Sequence, residues 1–126
     1  FLSNCGSCHQ LNGEGGVSGP GLTGYDRSKP DYLLLHIVDP NADIREGYEV
    51  QRIVTTDGRI LEGRLKTQSG GTITIEPPLG GKSTVLSQER IAAMEVQQTT
   101  YMPERILEPL SDEEISDLFA YLMQIK

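Results

Sequence analysis

The sequence predicts an α+β chain in which a mainly helical domain is interrupted by a small five-stranded β-barrel insert. Three observations carry this. Helix signals occur near residue 30 and again after residue 110. Between them, residues 48–100 break into short β-patterned runs separated by Gly, Pro and Asp. The charge divides along the same boundaries. The whole chain carries −7, yet residues 48–100 hold six basic residues (Arg52, Arg59, Arg64, Lys66, Lys82, Arg90) against six acidic ones (Glu49, Asp57, Glu62, Glu76, Glu89, Glu95). A neutral β-segment between two acidic flanks reads as one domain, 1–47 with 101–126, carrying an insert at 48–100.

The first helix is expected over Pro30–Asp39. Ser28 is its candidate cap, with Asp31 at capping-box spacing. Pro30 suits the first turn, where its missing N–H costs nothing. Leu33, Leu34 and Ile37 supply an apolar stripe, and Pro40 ends the helix. The β-segment is expected to hold strands at Glu49–Thr56, Arg59–Thr67, Thr72–Glu76, Ser83–Leu86 and Ile91–Val96. Asp57-Gly58 has the composition of a type I′ hairpin turn. Gly63 suggests a bulge or bend, Pro77–Lys82 a loop and Ser87–Arg90 a helical turn. The last helix opens on Ser111, with Glu114 completing a capping box and Leu110 and Ile115 at staple positions. Acidic Asp112, Glu113 and Glu114 suit its N-terminal dipole. Ile115, Leu118, Phe119 and Leu122 then make its buried stripe.

Composition narrows the function. With 37% hydrophobic residues and no Trp, the protein core is thin, so a bound group is expected to fill part of the interior. A net charge of −7 excludes a basic nucleic-acid surface. No apolar run reaches the ~18–20 residues that a membrane span needs. Two cysteines are too few for a disulfide framework. The start at Phe1, with no initiator Met and no signal peptide, is expected to be a cleavage or excision boundary of a longer chain. Gly80-Gly81-Lys82 lacks the spacing of a phosphate-binding loop.

Cys5-Gly6-Ser7-Cys8-His9 is the motif with chemistry. C-x-x-C-H is the attachment signature of haem c. Two thiols one helical turn apart reach the two vinyl groups of one porphyrin, and the adjacent His lies under the iron. C-x-x-C also serves zinc and thioredoxin-like sites. A zinc site would need further ligands, and His36 is the only other His. A thioredoxin-like site would follow a strand, whereas four residues precede this motif and a Gly-rich loop follows it.

The flanks resemble the class I c-type cytochrome family. Leu11-Asn12-Gly13-Glu14-Gly15-Gly16 is similar to its glycine-rich loop, Gly19-Pro20-Gly21-Leu22-Thr23-Gly24 to its G-P-x-L-x-G segment, and Tyr101-Met102-Pro103 to its distal-ligand motif. The closing helix with Tyr121 and Leu122 also fits. The order of motifs resembles the haem domains appended to propeller-type, membrane-associated bacterial dehydrogenases. The insert resembles Sm- or SH3-like barrels.

The resemblance implies a mainly helical cytochrome c fold interrupted by that barrel. It implies one haem c held through Cys5 and Cys8, with His9 and Met102 as metal ligands and the Pro20 carbonyl holding the His ring. It further implies pocket residues Leu22, Tyr25, Leu33, Leu34 and Tyr101. Arg27 and Arg45 are candidates for a propionate partner, against the alternative of solvated surface arginines. Met94 and Met123 are expected in the core, and His36 remains the alternative ligand in a bis-His site. A Met/His pair raises the reduction potential relative to His/His and leaves no open coordination position, which favours electron transfer. The rival is a haem enzyme or sensor with a labile distal ligand. The implied partner is a redox protein or neighbouring dehydrogenase domain, and the implied location is periplasmic or otherwise extracytoplasmic. The insert is either a cover for one haem edge or a docking surface.

Overall fold

In the computed structural model, which describes residues 1–77 and 81–124, the chain divides into two compact units. One comprises Phe1–Asp43 with Met102–Lys126, the other Ile44–Tyr101.

The expectation of a mainly helical domain is overturned. Among the described residues there are seven strands in two sheets and only two short α-helices. The reason lies in the first 29 residues. They form turns and a two-stranded ribbon, β1 (Gln10–Leu11) and β2 (Glu14–Gly15). Asn12 (φ 51°) and Gly13 (φ 88°) both take positive φ and make the two-residue turn between these strands. That is the backbone a type I′ hairpin demands and a right-handed helix forbids. Helix α1 (Pro30–Val38) and helix α2 (Asp112–Leu122) are 9 and 11 residues long. Neither is long and apolar enough to cross a membrane.

The two helices start differently. Ser111 Oγ accepts from the Glu114 N–H at 3.2 Å, and Glu114 Oε1 accepts from the Ser111 N–H at 3.1 Å, a complete capping box. These bonds hold the Glu114 carboxyl below its ordinary value. Helix α1 begins after Lys29 with no side-chain cap. The expected cap, Ser28, gives its hydroxyl to Asp26 instead, at 2.5 Å. An Asx-type turn one step upstream has taken the capping group.

The apolar core of this unit is Leu11, Ile37, Leu118 and Leu122. Leu118 and Leu122 are one helical turn apart and share one face of α2. Phe1, Cys5, Leu22, Leu33, Met102, Ile106, Leu107, Leu110, Phe119 and Tyr121 pack around them, half-buried.

The second unit is one five-stranded antiparallel sheet. Its strands are β3 (Val50–Thr55), β4 (Ile60–Ser69), β5 (Thr72–Glu76), β6 (Thr84–Ser87) and β7 (Ile91–Val96), in the order β6-β5-β4-β3-β7. The expected barrel is not closed. Closure needs a ladder between the outermost strands. Here a 3-10 turn at Gln88–Arg90 carries the chain from β6 at one edge to β7 at the other, and no ladder joins these two among the described residues. The expected Pro77–Lys82 loop includes residues 78–80, which lie outside the described residues.

Ile53, Ile73, Ile75 and Leu86 form the core, with Leu61, Leu65 and Ile91 against it. Strict alternation on β5 sends Ile73 and Ile75 inward. Each such side chain contributes ~1.5–3 kcal/mol by leaving water. Two turn expectations are corrected. The β3–β4 connection is four residues, Thr56–Arg59, closed by Gly58 N–H to the Thr55 carbonyl, and only Gly58 has positive φ. Asp57 keeps a negative φ, and its carboxylate accepts the Thr55 hydroxyl. Gly63 sits in regular register opposite Gln51, and the β4 bulge falls between Leu65 and Thr67. What Gly63 provides is room, because a Cβ there would strike Ile75 Cγ2. Met94, expected in the core, is 42% exposed on the edge strand β7.

Candidate functional site

The N-terminal motif folds as a single turn. The His9 N–H donates to the Cys5 carbonyl at 2.9 Å, and the Cys8 N–H donates to the same oxygen at 3.1 Å. This i→i+4 closure brings Cys5, Cys8 and His9 onto one turn. Both cysteines are half-buried free thiols. Burial is the chief force pushing the Cys5 thiol up from its ordinary value. A raised thiol is the reverse of the activated thiolate that a thioredoxin-like site requires.

The following loop is fastened beneath the motif. The Gly19 N–H donates to the Cys8 carbonyl at 2.8 Å and the Gly16 N–H to Gly6 at 2.8 Å. Farther along, the Leu22 N–H donates to Gln10 at 2.8 Å. The path brings the Pro20 carbonyl within 2.7 Å of His9 Nδ1. A carbonyl only accepts, so Nδ1 carries the proton and Nε2 is left with its lone pair. The His9 ring is thus oriented, with its basic nitrogen available to a metal. Gly19 makes the approach practicable, since a Cβ there would lie 3.0 Å from His9 Cε1 and 3.1 Å from Nδ1.

Four of the residues named from sequence, Cys5, Leu22, Leu33 and Met102, meet at the same apolar cluster although nearly the whole chain length separates them. Leu34 is 46% exposed and lies off that cluster. Tyr25 is half-buried, also off the cluster, its N–H donating to the Leu22 carbonyl at 3.1 Å. Tyr101 and Arg45 belong to the other unit. There the Tyr101 hydroxyl is buried without a partner among the described residues, and burial followed by the Glu62 charge pushes its phenol up.

His36 Nδ1 lies 2.8 Å from the Tyr32 carbonyl and its Nε2 3.2 Å from Asp43 Oδ2, with the ring against Tyr32. The Nδ1 contact is to a carbonyl one turn back on its own helix, and Nε2 faces the exposed Asp43 carboxylate. No group of three or more His, Cys, Asp or Glu side chains comes together to hold a metal ion among the described residues, so a zinc site has no ligand set to build on.

Arg27 is not the solvated surface arginine of the alternative reading. It is 3% exposed. Its Nη1 donates to the carbonyls of Leu122 at 2.5 Å and Gln124 at 2.7 Å, and its Nε to Leu22 at 3.1 Å. It ties the end of α2, where carbonyls lack helical partners, to the segment that carries Pro20. The sequence signal for this role is faint: a basic residue just beyond the loop, with no acidic residue at pairing distance along a helix. Asn12-Gly13 carries a clearer signal, being a hairpin dipeptide inside a loop.

No protein-family model matches this chain, and no curated protein matches it either.

Proposed function

We propose that this chain is an electron-transfer unit that binds one haem c covalently through Cys5 and Cys8, with His9 and Met102 as axial ligands. The single observation that carries the reading is the His9 Nδ1–Pro20 carbonyl contact of 2.7 Å beside a C-x-x-C turn. It is the arrangement that a histidine ligand needs: one nitrogen anchored, the other basic and oriented. The reading rests on this site and not on a helical fold.

The residues fit the group. Cys5 and Cys8 are unpaired and one turn apart, and Cys5 and Met102 pack on the same apolar cluster. When bound, haem supplies the one-electron iron couple. The protein's part is to hold it. Pro20 fixes the His9 ring and strengthens it as a donor. Met102 offers a soft thioether, which favours the reduced state. Leu22 and Leu33 keep the surroundings apolar and dry. Arg27 anchors the Pro20 segment and so preserves the His9 geometry. In the same reading, a dehydrogenase domain or separate redox protein supplies the electrons, and the chain works in the periplasm or another extracytoplasmic space.

The test is expression with a haem c maturation system. Intact mass and the pyridine haemochrome spectrum should report one haem per chain with two thioether bonds. Met102→Ala should abolish the thioether-to-ferric-iron charge-transfer band and lower the potential. A colourless product, or a band that survives Met102→Ala, overturns the corresponding part of the reading.

A further inference from the structure

Helix α1 has a second apolar side, away from the cluster that holds the candidate site. Leu33 and Ile37, one turn apart, pack on the cluster that also takes Cys5 and Met102. Asp31, Leu34, Leu35 and Val38 stand at i, i+3, i+4 and i+7, so they share another side of the same helix. Leu34, Leu35 and Val38 are 46%, 50% and 55% exposed, and Tyr32 beside Leu35 is 40% exposed. Together Tyr32 and the three aliphatic side chains expose on the order of 300–400 Å² of largely apolar surface, the size at which a patch on a soluble protein often serves an interface. A helix that is apolar on two sides is expected to be covered on both.

Charge selects what covers it. Any surface laid on this stripe also covers Asp31, which lies within it. A carboxylate taken out of water needs a cation beside it, or its desolvation outweighs the apolar gain. The helix and its caps hold one Lys or Arg, Lys29 at the N-cap. Residues 1–43 and 102–126 hold eleven acidic side chains against four basic ones, and Arg27, one of those four, is buried. A second copy would therefore set like charge against like and cover each Asp31 without a counter-charge. An anionic bilayer is repelled in the same way. A partner whose apolar patch is rimmed by Lys or Arg satisfies both the leucines and Asp31.

We infer that this side of α1 is the docking surface for the redox partner, and that the partner meets it with an apolar patch ringed by basic side chains. Leu34, Leu35 and Val38 make the dry centre of the contact, and Asp31 takes the cation. That the partner is a redox protein rests on the electron-transfer reading, whereas the chemistry of the surface does not.

The experiment is a ¹H–¹⁵N NMR titration of the full chain with a helical Leu/Lys peptide that presents a leucine stripe between two rows of lysine. A scrambled peptide of the same composition and a Leu/Glu peptide of the same pattern are the parallel arms. The patterned basic peptide should give saturable shifts along α1, and the other two should bind about tenfold more weakly or worse. Leu35→Ser and Val38→Ser should each weaken it severalfold and leave the spectrum outside α1 unchanged, because both side chains stand outside the core. Asp31→Asn should weaken it and flatten its salt dependence. Equal binding of the scrambled or the Leu/Glu peptide would overturn the assignment. So would shifts centred on the acidic start of α2, no saturable shift, or a dimer of the chain alone that Leu35→Ser abolishes. The titration runs on the haem-loaded chain, or on the colourless chain if no haem attaches, so failure of this surface and failure of the haem reading are told apart.

Discussion

Residues 44–101 and the unit around the C-x-x-C-H turn are built on different terms. In the first, the strands from β3 to β6 pair in sequence order, β7 returns to β3, and four aliphatic side chains fill one face. Its backbone groups are satisfied by ladders. The second unit has a ribbon of two-residue strands and two short helices, and its core draws on Leu11, Ile37, Leu118 and Leu122 from three distant segments. What joins those segments is a set of single contacts: His9 to Pro20, Arg27 to Leu122 and Gln124, Asn12 to Thr23. The difference teaches where chemistry is carried. A ladder absorbs its polar groups internally, whereas a turn-built unit positions His9, Cys5 and Met102 through single tertiary contacts, the residues on which the haem proposal rests.

The largest expected effect separates the two units outright. On the proposed haem reading, the Cys5→Ala/Cys8→Ala double variant should carry no covalent haem. Amide exchange should then accelerate throughout residues 1–43 and 102–124, while Ile53, Ile73 and Ile75 stay protected. Uniform loss of protection in both units would break the comparison.

Next come paired substitutions of similar size that act through different physics. Ile53→Ala removes a side chain with 0% exposure from the sheet core and should cost ~2–5 kcal/mol through the cavity it leaves. Arg27→Ala removes no apolar core, yet it strands the carbonyls at the end of α2 and should cost roughly 2–3 kcal/mol, the worth of hydrogen bonds from a charged donor. Denaturant melts with residue-resolved exchange should place the first loss in the sheet and the second in the other unit. An Arg27→Ala protein with unchanged stability would remove the clamp from this account.

The smallest effect is at the start of α2. Ser111→Ala should cost about 1 kcal/mol by deleting the cap. The Glu114 carboxyl is held below its ordinary value by its bonds with Ser111. A depressed folded value means that its contribution is present above the unfolded pKa and is lost as pH falls through the folded one. Acid should therefore loosen the α2 N-terminus in the parent, and Glu114→Gln should flatten that local pH dependence. α2 amide exchange followed across the acidic range reads both.

Much was legible in the residues themselves. Ser111 with Glu114 marks the start of α2, because a capping box satisfies backbone donors with side chains three positions away. Alternation of Ile and Thr on β5 and the pattern of Ile91–Val96 mark strands for the same local reason. The C-x-x-C-H turn closes on itself within five residues, and the Pro20 contact with His9 was expected from the resemblance of Gly19–Gly24 to a known segment. Other features were not legible. Ser28 is a good cap by composition, but Asp26 competes for its hydroxyl. Gly63 reads as a bulge, yet the reason for it is an isoleucine on the next strand. Arg27 reads as surface charge because nothing nearby in sequence reveals the helix end that buries it.

The sequence alone thus determined the local items: the cap of α2, the strand periods and the chemical identity of the thiols and the histidine. Each depends on residues within a few positions of one another. Tertiary structure alone decided that the five-stranded sheet stays open, that His36 faces Asp43, and that Cys5 and Met102 share one cluster. These outcomes depend on which distant groups compete for the same hydrogen bond or the same volume, and that competition is settled only when the chain has folded.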